Sequence, residues 1–405
     1  MMTQVLTYRY RIYPTEKQGE EILRIMEISR RFYNAILDEK TAAFRESGKW
    51  KRKLAILQDI DAYAQKNNVD PSVLHFAQGE FEAAFRNFLR ISNTKTDQYK
   101  ESAAGRAALY KNIELTDADL KGFPNKKPLG SARKTYSVAL NKVFWQDNAV
   151  MLPQVGWVLA KFHRFPPQNA RLYRCTVLYK TTGKFYLLLQ VKVNVADKRP
   201  NQVPEEALGV VFYPGHLAIR SDGVPVPVRH TDPELQKQID KAYQTLKRRQ
   251  PGSKRYEEQR QKLARLCDKQ ACRRRDALHK AAREIVDTGK YIGVQVPAVK
   301  KMAKYHKADD LQKTVQDEAW YLFYSMLLYK ANLNGMPAYP IPRVYPIWKV
   351  CAACGKELSQ TPRTKAWLCP QCGTLCGKGG NAARNIQYFI EKEIEGWKAL
   401  SLKSD

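Results

Sequence analysis

The amino-terminal stretch from 4 to 13, QVLTYRYRIY, alternates in polarity and is rich in β-formers. That pattern predicts a strand with Arg9 and Arg11 on one face and Tyr8 and Tyr10 on the other. Pro14 ends it, and Thr15-x-x-Gln18 forms a capping box that opens a helix carrying Ile22, Leu23, Met26 and Phe32 on its buried face. Helical spacing continues to about residue 100, where Leu74, Phe76, Phe81, Phe85 and Phe88 make an apolar stripe. The segment from Tyr110 to Leu129 is polar and carries a Gly-Phe-Pro turn, so it is expected to be a loop.

Between Thr135 and Val195 the period shortens to two. Strands are expected at Thr135–Phe144, Ala149–Leu152, Trp157–Phe162, Leu172–Tyr179 and Phe185–Val193. A polar linker, Asp197 to Glu206, precedes a hairpin at Ala207–Tyr213 and Gly215–Arg220, which turns at Ser221-Asp222-Gly223 into Val224–Arg229. A long helical pair follows, opened at Thr231-Asp232-Pro233, broken at Pro251-Gly252-Ser253 and stopped at Gly289. Tyr291–Val296 is the next strand, and Trp320, Phe323 and Leu327 mark another helix.

Charge changes the picture. Lys and Arg number 69 against 40 Asp and Glu, a net charge of +29 on 405 residues. Such a field favours a polyanion, and nucleic acid is the usual one. No apolar run approaches the ~18 residues of a membrane span, and the start lacks the apolar core of a signal peptide. No membrane partner is expected, and the expected location is the cytoplasm, at the nucleoid.

Cys351-x-x-Cys354 and Cys369-x-x-Cys372 are two knuckles, each followed by glycine. Four thiolates so spaced can close a tetrahedron around one Zn²⁺, which predicts a Cys₄ zinc ribbon. Cys376 lies close by but is not counted as a ligand. Cys175, Cys267 and Cys272 are expected to be packing residues.

A zinc ribbon followed by Asn381-Ala382-Ala383-Arg384-Asn385-Ile386 resembles the tail of the TnpB family, RNA-guided nucleases of insertion sequences related to type V CRISPR effectors. Tyr10-Arg11-Ile12-Tyr13-Pro14-Thr15 and Arg31-Phe32-Tyr33-Asn34 are similar to that family's opening, and Leu152-Pro153-x-x-Gly156-Trp157 to its wedge barrel. The resemblance covers nearly the whole chain. It implies a mixed α+β and α/β multidomain fold: a wedge β-barrel (1–15 and 126–198), an inserted helical recognition lobe (16–125), an RNase H-like (RuvC) domain (205–345 and 377–405) and the ribbon inserted in it (346–376).

In that family the RuvC domain holds catalytic metal through carboxylates. The resemblance places Val211, Gln295 and Gly379 at those three positions. Mg²⁺ requires hard, charged oxygen ligands, so the expectation is a protein without nuclease activity and without catalytic Mg²⁺. The resemblance implies a guide RNA with its scaffold and a double-stranded target DNA with a short adjacent motif as partners, the protein being monomeric in the ribonucleoprotein. The expected function is transcriptional repression by target occupancy. The alternatives are an RNA-guided recruitment platform for transcription or transposition factors, a nuclease using relocated acids such as Asp222 or Asp276, and a guide-free zinc-ribbon binder. Candidate nucleic-acid contacts are Arg9, Arg11, Arg31, Arg86, Arg133, Lys134, Lys161, Arg248, Arg249, Arg273, Arg274, Arg275, Lys300 and Lys301.

Overall fold

The computed structural model describes residues 2–47, 53–96, 123–195, 206–227, 232–297 and 319–401, apart from 132, 169, 214 and 363. Lys300 and Lys301, most of the polar linker at 197–206 and most of the 110–129 segment lie outside the described residues. The chain divides into two compact units, 5–193 and 194–405 with the first four residues.

The unit spanning 5–193 is a curled sheet with helices. Strand β1 (Met2–Tyr13) leads into helix α1 (Glu16–Ser47). The capping box forms: Thr15 N–H donates to Gln18 Oε1 at 3.0 Å and Gln18 N–H to Thr15 Oγ1 at 3.4 Å. Helices α2 (Ile60–Lys66) and α3 (Pro71–Thr96) follow. Ile22, Ile25, Phe32, Ile36, Leu74 and Phe81 are buried where α1 and α3 pack together. Six more strands complete the sheet: β2 (Arg133–Val138), β3 (Phe144–Gln146), β4 (Ala149–Leu152), β5 (Gly156–Lys161), β6 (Arg171–Lys180) and β7 (Lys184–Val195). Their order is β2-β6-β7-β1-β5-β4-β3.

One expectation is corrected here. The strand expected over Thr135–Phe144 ends at Val138, and Leu140–Lys142 turn in a 3₁₀ helix. The backbone leaves the ladder where Ala139 N–H donates to Ser72 Oγ of α3 at 3.1 Å. The expected wedge barrel takes the form of a curled half-barrel whose edge strands, among the described residues, are β2 and β3. Helices α1 and α3 pack against β2, so that edge already has neighbours.

The unit spanning 194–405 holds a five-stranded sheet built from β8 (Ala207–Tyr213), β9 (His216–Arg220), β10 (Pro225–Val226), β11 (Tyr291–Gln295) and β12 (Tyr339–Ile341), in the order β10-β9-β8-β11-β12. The first three are antiparallel, and β11 runs parallel to β8 and to β12. This is the RNase H-like order. Helices α4 (Pro233–Lys247) and α5 (Lys254–Val286) lie between β10 and β11 in the chain, and α6 (Trp320–Leu333) lies before β12. Asp232 and Ser253 cap α4 and α5 through their side-chain oxygens. The strand expected at Val224–Arg229 is described only as Pro225–Val226.

Helix α7 (Lys378–Ser401) seats on β8 and β11 at two glycines that stand side by side in register, Gly209 and Gly293. A Cβ on Gly209 would come 1.9 Å from the Ala383 carbonyl oxygen, and one on Gly293 would come 2.6 Å from Ile390 Cγ1. The missing side chains let Ala382, Ala383, Ile386 and Ile390 reach the sheet, where all four are fully buried. A small hairpin of β13 (Ala366–Leu368) and β14 (Leu375–Gly377) completes the unit.

Candidate metal centre and nucleic-acid faces

The two knuckles adopt the same local geometry. Gly355 N–H donates to the Cys351 carbonyl at 2.8 Å, and Gly373 N–H donates to the Cys369 carbonyl at 2.9 Å. Both glycines have φ near +70° (72 and 69), a region that side chains rarely adopt, which explains glycine after each pair. The turns aim four thiols inward. Cys351 Sγ lies 3.8 Å from Cys372 Sγ, Cys354 Sγ lies 3.8 Å from Cys369 Sγ, and all four lie within 4.8 Å of one another. Four sulfurs each about 2.3 Å from a tetrahedral Zn²⁺ stand roughly 3.8 Å apart, so this donor set fits that ion. Hydrogen bonds from the Thr374 side chain and backbone pull the Cys372 thiol down to about 6, whereas the Cys354 thiol of the same cluster, beside the other sulfurs, is pushed up to about 12.

Cys376 is buried on β14 with its Sγ 3.9 Å from that of Cys351, so a fifth sulfur touches the cluster. A second feature escaped the sequence reading. Asn381 and Asn385 are buried, and their side chains bind the backbone just before and within the first knuckle.

The three positions assigned to RuvC metal ligands gather at one end of the five-stranded sheet. The register of Val210 with Val294 sets Val211 beside Gln295. Val211 is buried and opposes Ile219. Gln295 Nε2 donates to the Pro342 carbonyl at 3.2 Å. Gly379 sits in the first turn of α7, where a Cβ would come 2.3 Å from Ile219 Cδ1. Among the relocated acids, Asp222 is ion-paired with Arg220 and accepts from Val224 N–H. Asp276 pairs with Lys280 at 2.8 Å on the exposed side of α5.

The candidate nucleic-acid contacts fall into separate groups. Arg9 and Arg11 both stack on the Tyr186 ring, at 5.2 and 5.3 Å from its centre, and Arg11 also donates to the Phe185 carbonyl. Arg133 and Lys134 line a cavity of about 220 Å³ together with Arg30 and Lys127, two cations the sequence reading passed over. Arg31 pairs with Glu27 at 2.9 Å and Arg86 with Glu82 at 3.8 Å, so these two are partly neutralised. Lys161 is exposed on β5. In the other unit, Arg248 and Arg249 end α4, while Arg273, Arg274 and Arg275 form a run on α5 in which Arg273 pairs with Asp232.

Three family descriptions match the chain: "Probable transposase" over residues 225–306, "Helix-turn-helix domain" over 1–49, and "Cas12f1-like, TNB domain" over 320–386. Within 1–49 the structure has a strand and one long helix rather than two short helices. A protein of Streptomyces pristinaespiralis named "Putative RNA-guided DNA endonuclease" is 25% identical over 398 residues, covering 95% of this chain and 90% of that protein. The Escherichia coli K12 protein "Putative RNA-guided DNA endonuclease InsQ" is 22% identical over 309 residues, covering 73% and 75%. Among solved structures, a Cas12f1–sgRNA–target DNA complex aligns with a TM-score of 0.43 and 13% identity, over 95% of this chain and 98% of that one. The mini-RNA-guided endonuclease CRISPR-Cas_phi3 aligns with a TM-score of 0.49 and 8% identity, over 95% and 92%.

These relatives overturn the expectation that the chain is not an enzyme, because both matched proteins are named as endonucleases. That expectation rested on three positions, Val211, Gln295 and Gly379, and on the lack of acids next to them in the sequence. Neither speaks for the remaining carboxylates of a chain with 40 of them.

Proposed function

The chain belongs to the TnpB family, and from that premise we propose that it binds a guide RNA and, through base pairing by that RNA, a matching DNA duplex. The observation that carries the proposal is the similarity to the Streptomyces RNA-guided DNA endonuclease, which runs through 95% of this chain. The charge of +29 supports it, since a protein that holds two polyanions must neutralise many phosphates. In this reading pairing supplies sequence specificity, while the protein reads duplex shape and a short motif beside the target.

The names of the relatives bring strand scission into the proposal. On this chain the metal for that step needs carboxylates other than residues 211, 295 and 379, because Mg²⁺ takes hard oxygen ligands. A protein held on a promoter also excludes polymerase, so guided occupancy lowers transcription from that promoter. The domain partition given above and a Zn²⁺ on Cys351, Cys354, Cys369 and Cys372 belong to the same proposal. No helix among the described residues is long and apolar enough to cross a membrane.

The test is purification with whatever RNA the protein carries, followed by sequencing of that RNA. A defined RNA with a constant part and a variable end is the expected result. Binding and scission of a duplex matching the variable end, in Mg²⁺, then follow on the same complex. Protein that carries no discrete RNA and binds duplexes without regard to sequence contradicts the proposal.

A further inference from the structure

The ribbon gathers five thiols, one more than a tetrahedral zinc site takes. They divide by exposure. Cys351, Cys369 and Cys376 are buried in one cluster against Trp367, whereas Cys354 and Cys372 are exposed. Cys376 Sγ lies 3.9 Å from Cys351 Sγ, and Cys372 Sγ lies 3.8 Å from the same atom. Both distances match the roughly 3.8 Å edge of a tetrahedron of sulfurs around zinc. Cys372 and Cys376 also share Thr374, which lies midway between them in the chain. The Cys372 thiol donates to its hydroxyl at 3.2 Å and the Cys376 thiol to its carbonyl at 3.6 Å. Cys354 stands apart from this pair, 3.8 Å from Cys369.

A packing role explains why Cys376 is buried, but an apolar side chain of similar size would pack there without offering a ligand. A role as S–H donor toward Cys351 would tune the site without holding a metal. An exposed thiol is the first to meet an oxidant or an electrophile, and its loss leaves a Cys₄ site one ligand short. Cys376 is shielded from that fate and stands at the same distance from Cys351 as the exposed thiol does. Resting on the proposed Zn²⁺ at the four thiols, we infer that Cys376 is a reserve ligand that takes the corner of Cys372 when that thiol is lost. The Zn–S bond to residue 372 is replaced by one to Cys376 Sγ, whose proton passes to solvent. The site keeps its full set of thiolates, and the ribbon keeps its metal.

The test uses the full-length chain and counts zinc. Cys372→Ala should hold about one equivalent, like the unmodified protein. Cys376→Ala should also hold zinc, because the primary set is intact. The double variant Cys372→Ala with Cys376→Ala should lose most of it. Even a change outside the coordinating shell costs about 10-fold to 100-fold in metal affinity. The double variant, short of a whole ligand, should therefore release zinc at a chelator concentration about 100-fold below that needed for Cys372→Ala. With Co²⁺ in place of zinc, the thiolate-to-metal absorption should keep its intensity in Cys372→Ala and fall in the double variant. Cys372→Ser, which preserves the side-chain volume, should match Cys372→Ala. Absence of zinc from both Cys372 variants overturns the reserve, folded or not, since a ribbon that kept its metal would keep its fold. Equal retention by Cys372→Ala and the double variant overturns it as well. Loss of zinc from Cys376→Ala also does so, and makes Cys376 a primary ligand. If the unmodified protein holds no zinc, the proposed Cys₄ site fails and the reserve fails with it.

Discussion

Asn381 Oδ1 accepts a hydrogen bond from the backbone N–H of Ala352 at 2.8 Å, which ties the first turn of α7 to the first cysteine knuckle. The same side chain donates through Nδ2 to the Val350 carbonyl at 2.7 Å. One turn later, Asn385 Nδ2 donates to the carbonyls of Ile347 and Val350 at 2.9 and 2.8 Å. The asparagines of the N-A-A-R-N signature thus anchor the ribbon to the RNase H-like sheet by satisfying its backbone. Asn381→Ala leaves the buried Ala352 N–H without this acceptor, at a cost of about 1–3 kcal/mol. Thermal unfolding should shift downward, and zinc should leave faster under a chelator. An unchanged unfolding temperature would mean that water replaces the bond.

The two helix-facing glycines of the sheet and Gly379 should respond differently to a single methyl. Gly209→Ala drives Cβ into backbone atoms, the Ala383 carbonyl and the Gln387 nitrogen, which move only if α7 lifts from β8. A loss at or beyond the about 1–3 kcal/mol of ordinary overpacking is expected. Gly379→Ala meets the far end of the Ile219 side chain, which can rotate away, and comes 3.2 Å from the Tyr213 ring, which has to give only by a few tenths of an ångström. Alanine also favours the helix by up to about 1 kcal/mol. Gly379→Ala should therefore unfold near the temperature of the unmodified protein while Gly209→Ala falls well below it. Equal behaviour of the two in a denaturant titration would contradict the packing described.

Much of this was legible in the sequence, for physical reasons that can be named. The capping box at Thr15 and Gln18, strands β4 and β8, the α4–α5 break and the Cys₄ cluster each depend on local chemistry. The break after Val138 was hidden because the bond that pulls the backbone aside comes from Ser72, far away in the chain. Strand β12 is three residues long and carries a proline, so no period marks it. The anchoring role of Asn381 and Asn385 depends on tertiary contact, although the motif itself stood out. The catalytic question was the poorest guide, since three side chains and the lack of acids next to them were asked to decide the activity of the chain.

One zinc per chain is expected from the four thiols. Metal analysis of the purified protein should return about one equivalent, and Cys369→Ser should lose it. The ribbon buries little apolar surface beyond Trp367 and its cysteines, so metal supplies its folding energy. Chelation should melt the ribbon. Full-length folded protein without zinc would contradict this.

Acid should loosen the unit spanning 5–193 through Glu27. Hydrogen bonding and charge from Arg30, then from Arg31, hold its carboxyl down to about 2 against an ordinary 4.5. The folded state thus binds this proton more weakly than the unfolded chain. The stabilisation is present above about pH 4.5 and is lost as the pH falls toward 2. Glu27→Gln should remove that part of the acid dependence, measured as unfolding temperature against pH. An acid limb identical in both proteins would assign it to other carboxylates.

The central claim is that RNA directs this protein to DNA, and exchange of the guide tests it most directly. The complex is assembled with one of two RNAs that share the constant part and differ only in the variable end. A duplex carrying both matching sites, each beside the motif that the protein requires, is then footprinted in moderate salt. Protection is predicted to move from one site to the other with the RNA, and to vanish when the RNA is omitted. Protection that stays in place, or that persists without RNA, would contradict the account.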